Sequence, residues 1–261
     1  MISIHDAQRF GTFPDAVLFD TDNTLYSYAE AHEAGMEAVR AKATRTFAID
    51  VGTFDRAFDS ARHQVKGRLK HTAASHSRLL YFQRMLEIIG LGSQVLMALD
   101  LEQTYWRTFL SNAILFDGVK ELLDDLRLRG IPTAVITDLT AQIQFRKIVY
   151  FGLDHYFDYI VTSEESGYDK PHEAPFRIAV EKMQPKGVNL WMIGDNPETD
   201  VRGARKCLNA TTLQKVHKGV VVGAGEDRPD ATFADFADLI RLLERIERGG
   251  GPEKLAVGAR Q

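Results

Sequence analysis

Three short apolar runs in this sequence end on the same residue type: "AVLFD" at 16–20, "IPTAVITD" at 131–138 and "NLWMIGD" at 189–195. Asp is depleted inside strands, so each acid marks the point where a buried strand gives way to its loop. "FDYIVTS" (157–163) and "NATTLQ" (209–214) are further runs of the same kind. Helical patterns separate most of them. "VKELLDDLRLRG" (119–130) sets Val119, Leu122, Leu123 and Leu126 on one face and stops at Gly130. "APFRIAVEKM" (174–183) and "TDVRGARKCL" (199–208) read the same way. Strands alternating with helices predict an α/β fold: a doubly wound parallel sheet covered on both faces. Such sheets bind ligands beyond the carboxyl ends of their strands, where the three acids fall.

One segment interrupts the alternation. Residues 27 to 112 carry no strand pattern and read as helices over about 28–47, 52–67, 75–90 and 93–111. Placed between the first strand and the next β/α unit, they predict an inserted α-helical cap at the carboxyl edge of the sheet. The expected organisation is a core domain of 1–26 and 113–247, a cap domain of 27–112 and a flexible tail, 248–261, whose "RGGG" start resists order.

Composition removes several classes of function. A formal charge of −4 weighs against a nucleic-acid partner. No apolar run reaches the roughly 18 residues that span a bilayer. The start "MISIHDAQRFGTF" lacks the layout of a secretory signal. The one cysteine, Cys207, allows no internal disulfide and suits a reducing compartment. The expectation is a cytoplasmic protein, monomer or homodimer, with neither membrane nor nucleic acid as partner.

The acids carry the chemistry. Asp20 and Asp22 stand two apart in "DTDNT", and like charges that close repel unless a cation joins them. In an extended chain alternate residues diverge, so one acid can face a metal and the other the cap. Mg²⁺ suits such a place, since it takes oxygen ligands with one or two carboxylates. A solvated turn with capping acids is the plainer alternative. Thr137 and Asp138 end the second strand, where a hydroxyl and backbone N–H groups can hold a phosphoryl oxygen. A helix N-cap before Ala141 is the alternative there. Lys170 can neutralise both Asp20 and an incoming phosphate, and Pro171 restricts its backbone. Asp195 ends an apolar strand beside Gly194, which lets the chain pass close to a ligand. Asp200 follows near a helix start, a place that favours an acid on electrostatic grounds alone.

In this order, "DTDNT" (20–24), Thr137, "KP" (170–171) and "GDNPETD" (194–200) resemble the four motifs of the haloacid dehalogenase-like hydrolase superfamily. The resemblance runs from about residue 15 to 247 and includes the helical insertion. It implies a Rossmann-like core and an aspartyl-phosphate mechanism. Asp20 would attack phosphorus; Asp22 would protonate the leaving oxygen and then activate water. Mg²⁺ would sit on Asp20, Asp195 and the backbone carbonyl of Asp22, steadied by Asp200. Thr137, Asp138 and Lys170 would border the phosphoryl group. Halide-removing and phosphonate-cleaving relatives lack an acid at the position of Asp22, so its presence points to phosphate esters. Two residues depart from the pattern: Asp138, where Asn or Gly is usual, and Asn23, where Gly is commoner.

The implied substrate is a small phosphorylated metabolite. Pyrimidine or related nucleoside 5′-monophosphates come first, as for a pyrimidine 5′-nucleotidase-like member, with sugar or glycolate phosphates behind. The rivals are a phosphosugar mutase and a non-catalytic phosphate-accepting regulator, although receiver domains of that kind are about half as long and have no cap. Within 56–84 lie Arg56, Arg62, Lys66, Arg68, Lys70, Arg78 and Arg84, with Asp59 the only acid. They face either an anionic substrate or solvent. The aromatics of "TYWRTFL" (104–110) and "RLLYFQRM" (78–85) read as core. His63, His71 and His76 show no metal spacing.

Overall fold

The computed structural model describes residues 2–249. The chain opens with strands β1 (Ser3–Ile4) and β2 (Ala16–Phe19) and then runs through α1 (Tyr28–Phe47), α2 (Val51–Leu69), α3 (Arg78–Ile88) and α4 (Val95–Asn112). It continues as α5 (Val119–Leu128), β3 (Thr133–Thr137), α6 (Ala141–Tyr150), β4 (Tyr159–Thr162), the short α7 (Ser163–Ser166) and α8 (Glu173–Met183). Then come β5 (Leu190–Gly194), a π-helical turn Pro197–Arg202 leading into α9 (Gly203–Leu208), β6 (Thr211–Lys215), β7 (Ala231–Phe233) and α10 (Phe236–Glu247).

The strands form one seven-stranded sheet in the order β1-β7-β6-β5-β2-β3-β4. Every pairing is parallel except that of β1 with β7. The chain moves outward from β2 to β3 and β4, then returns to β5 on the other side of β2. That reversal opens a crevice at the carboxyl ends of β2 and β5. All residues of β2, β3 and β5 are buried, as strands covered on both faces require. Val17, Phe19, Trp191 and Ile193 pack on one face with α5 and α10, while Ala16, Leu18, Ile136 and Met192 pack on the other with Phe176 and Ala179 of α8 and Ala204 of α9.

The helical insertion follows the periodicity closely. The expected helix over 75–90 instead divides: a 3₁₀ turn, Ala73–His76, precedes α3, whose first turn is capped by the Ser77 hydroxyl accepting from the Leu80 N–H. Tyr81, Phe82, Tyr105, Trp106 and Phe109 are buried, as read from the sequence. At Gly35 in α1 a Cβ would lie 3.0 Å from the Tyr105 ring, so the glycine lets α1 and α4 approach. β1 and β7 were not anticipated. At two and three residues they are too short to display a period. Of the tail expected to be flexible, Arg248 and Gly249 are described and 250–261 lie outside the described residues. No helix among the described residues is long and apolar enough to cross a membrane.

His32 is built into this insertion. Its Nδ1 lies 2.7 Å from the Tyr105 hydroxyl and its ring stacks on Tyr28 at 5.3 Å. Burial, followed by the charges of Arg78 and Arg62, lowers its pKa to about 4. Between that value and the ordinary 6.5 the unfolded chain binds more protons than the folded one. The contribution is therefore complete above pH 6.5 and is lost as pH falls toward 4. In urea titrations the stability gap between wild type and His32→Gln should narrow from pH 7 to pH 4.5; a constant gap would contradict a neutral His32.

Candidate active site

The ends of β2, β3 and β5 bring the predicted acids together. The Asp20 N–H still donates to the Ile193 carbonyl at 2.9 Å, so the residue is fixed by the sheet while its side chain emerges beyond it. Its two oxygens accept from Lys170 Nζ at 2.6 Å and the buried Thr24 hydroxyl at 2.9 Å. Lys170 Nζ also donates to Asp200 at 2.7 Å, and its side chain is only 2 % exposed. Burial opposes the ammonium, yet Asp20, Asp200 and Asp138 keep it protonated well above the usual range for lysine.

The five-residue spacing from Asp195 to Asp200 is closed by the π-helical turn. The Asn196 side chain caps it, accepting from Glu198 N–H at 3.0 Å and Thr199 N–H at 3.1 Å, and the Asn196 N–H donates back to Asp200 at 3.0 Å. Gly194 is demanded by this closure, because a Cβ there would lie 2.4–2.5 Å from side-chain atoms of Asp200. Gly194→Ala should lower stability by about 1–3 kcal/mol through overpacking, read as a lower melting temperature. An unchanged melting temperature would mean that Asp200 is not held where it is described.

Asp20, Asp195 and Asp200 each offer an oxygen within 4.8 Å of the others. Burial, then the charges of Asp20 and Asp200, pushes Asp195 up to about 9. Asp20 is pushed up to about 7, chiefly by burial, against the attraction of Lys170. More negative charge converges here than one ammonium balances. A cluster of hard oxygen donors short of positive charge fits a small divalent cation such as Mg²⁺.

Asp22 diverges from Asp20, as strand alternation requires. Its carboxylate accepts from Lys147 Nζ at 2.8 and 3.0 Å and from the Tyr26 hydroxyl. Burial, the largest single influence, would raise its pKa; Lys147 together with the Tyr26 and Thr21 hydroxyls holds it below the usual carboxylate range. Lys147 comes from α6, is 2 % exposed, and lies 5.5–5.9 Å from the ring centres of Tyr26, Tyr28, Trp106 and Phe109. The sequence reading missed it. Its signal was a lysine on the buried face of a helix, in line with Ile143, Gln144 and Ile148.

Thr137 ends β3 with its hydroxyl 2.7 Å from that of Thr21, another residue passed over in the sequence. Asp138 turns its carboxylate toward the loop that carries Lys170, accepting from the Ser163 hydroxyl at 3.0 Å and the Lys170 N–H at 2.9 Å. Asn23 adopts the left-handed conformation (φ 62°), which Asn tolerates better than most residues, and its side chain accepts from the Tyr28 N–H at 3.1 Å where α1 begins.

These side chains line a cavity of about 280 Å³ that also takes Tyr28, Arg62, Lys66, Arg78 and Trp106 from the insertion. The basic row is thereby sorted. Arg62, Lys66 and Arg78 line the cavity; Arg56, Arg68 and Lys70 are exposed elsewhere, and Arg84 pairs with Glu87 at 2.8 Å. A carboxylate backed by an ammonium and a neighbouring acid held apart in its own pocket can support nucleophilic attack followed by proton transfer.

The family model of haloacid dehalogenase-like hydrolases matches residues 14–207. A ribulose-1,5-bisphosphate 5-phosphatase of Halopiger xanaduensis is 37% identical over 202 residues, covering 77% of this chain and 83% of that protein. A glyceraldehyde 3-phosphate phosphatase of Methanopyrus kandleri is 28% identical over 222 residues, covering 85% and 91%. In fold, the chain is similar to a 2-haloacid dehalogenase from Pseudomonas syringae pv. Tomato DC3000, with a TM-score of 0.73 at 22% identity over 89% of this chain and 99% of that one.

Proposed function

The chain belongs to the haloacid dehalogenase-like hydrolases, and on that premise we propose that it is a Mg²⁺-dependent phosphomonoesterase in which Asp20 carries the phosphoryl group. The observation that carries this reading is the pair of differently held acids: Asp20 on Lys170 and Asp22 on Lys147. In the first half-reaction an oxygen of Asp20 bonds to phosphorus, the ester P–O bond breaks, and the leaving oxygen takes a proton from Asp22. In the second, Asp22 as carboxylate takes a proton from water while that water bonds to phosphorus and frees Asp20. The hold of Lys147 and the Tyr26 hydroxyl favours the charged form, which serves the second half and opposes the protonated form that the first half requires.

Asp20, Asp195 and the backbone carbonyl of Asp22 are the groups we assign to Mg²⁺, with Asp200 beside them; when bound it would offset their charge and that of the phosphoryl oxygens. Thr137 and Lys170 would orient the phosphoryl group, and Asp138 would act by fixing the Lys170 loop as well as by bordering the substrate. Residues 1–26 and 113–247 serve as the core domain and 27–112 as the cap. The single cysteine supports a cytoplasmic setting.

The substrate we infer is a small phosphorylated metabolite. The two curated relatives are named for phosphorylated sugars, which moves sugar phosphates ahead of the nucleoside monophosphates that the sequence alone put first. A phosphosugar mutase or phosphate-accepting regulator would keep phosphate rather than release it. The test is phosphate release from p-nitrophenyl phosphate with Mg²⁺. Chelation with EDTA should bring turnover to background and added Mg²⁺ should restore it; turnover indifferent to chelation would overturn the reading.

A further inference from the structure

We propose that Arg62, Lys66 and Arg78 form a second anion subsite within the same cavity, so that the substrate carries a second phosphate besides the one that is removed. The proposal rests on the phosphatase reading for which phosphate is removed, but the subsite is argued from its own residues. Arg62 and Lys66 lie one turn apart on α2, and Arg78 begins α3. All three line the cavity with Asp20 and Lys170. Among the described residues, none of the three makes an ion pair within 4.0 Å, whereas Lys42 and Arg84 of the same insertion are paired with Asp100 and Glu87.

Arg78 is held for a purpose that its internal bonds do not exhaust. It donates to the His76 carbonyl at 2.8 Å and to the Tyr28 hydroxyl, and its guanidinium lies 5.3–5.8 Å from the ring centres of Tyr81, Tyr105 and Trp106. Its Nε is buried with no hydrogen-bond partner. That unpaired donor is closed off from solvent, so it is the charge of the guanidinium, fixed at the cavity wall by His76 and Tyr28, that would act on an anion bound there. Lys66 shows the price of the grouping: burial, then the charges of Arg62 and Arg78, lowers its pKa. The acid that opposes this, Asp169, is engaged by His76 at 3.0 Å. Three cations that repel one another, with no acid paired to them, are stabilised by an anion bound between them. The transferred phosphoryl group would lie at the strand tips beside Asp20 and Lys170, whereas these three cations come from α2 and α3 of the insertion. The cavity, about 280 Å³, falls just below the roughly 300–1,000 Å³ of drug-sized ligand pockets, a size that suits a small bisphosphate.

Calorimetric titration with pentane-1,5-bisphosphonate and with pentylphosphonate, both resistant to hydrolysis, tests the subsite without turnover. Wild type should bind the bisphosphonate about tenfold or more tightly than the monophosphonate, as charge-assisted contacts warrant. Arg62→Gln with Lys66→Gln should erase that ratio, and Lys66→Gln alone should reduce it if the double variant does not fold by circular dichroism. Equal affinities in wild type, or a ratio that persists in the folded variants, would overturn the subsite. Turnover of p-nitrophenyl phosphate by wild type reports separately on the phosphatase reading. Turnover with equal phosphonate affinities sinks the subsite alone. Preferential bisphosphonate binding without turnover sinks the phosphatase reading and leaves a two-site phosphate binder.

Discussion

Asp20→Asn should reduce phosphate release by at least about 10³-fold, the scale expected when a covalent nucleophile is removed, and should leave the protein folded. The amide keeps the shape of the carboxylate and loses its nucleophilic charge. Stability should not suffer, because the native carboxylate is unfavourable where it sits: burial and the acids around it push it up to about 7. Lys170 keeps its bond to Asp200 at 2.7 Å, so the ammonium is not orphaned. Steady-state rates with p-nitrophenyl phosphate and a thermal melt check both halves. A variant that melts like wild type and retains most of its activity would remove Asp20 from the role of nucleophile.

Lys170→Met should do the opposite to the fold. It deletes the one ammonium hydrogen-bonded to both Asp20 and Asp200, at 2.6 and 2.7 Å, and leaves those acids facing Asp195. Breaking a buried ion pair by removing one partner costs about 3–5 kcal/mol, because the remaining charge stays buried and uncompensated. The side chain is 2 % exposed, so water screens little of this. Activity should fall together with stability, since the proposed mechanism has the same ammonium orient the phosphoryl group. Urea titration measures the loss, and a midpoint equal to that of wild type would mean that the three acids need no counter-charge from Lys170.

The contrast between these variants shows which parts of the site were legible from sequence. Asp20, Asp138 and Asp195 could be placed because an acid ending an apolar run has one sterically sensible position, the strand tip. α1 to α4 were legible because a run without strand periodicity between two β/α units has to be an insertion. β1 and β7 were hidden by their length. Lys147 was hidden for a different reason: its partner Asp22 lies 125 residues away, and only the fold reveals that a charged residue on the inner face of α6 meets an acid. Asp138 looked awkward beside an anionic substrate. Its bonds to Ser163 and to the Lys170 backbone show a carboxylate bound within the protein, where it positions the loop. The role of the basic row was undecidable from sequence because helical phase alone does not tell which side of a helix the cavity occupies.

The central claim is that the carboxylate at position 20 becomes the phosphoryl carrier. Rapid acid quench during turnover, reduction with borohydride and peptide mass spectrometry measure this directly, because an aspartyl-phosphate is reduced to homoserine. The account predicts homoserine at position 20 in the peptide spanning residues 18–26, formed only when a phosphate ester is present. An unmodified position 20, with the phosphoryl group recovered on another residue, would contradict it.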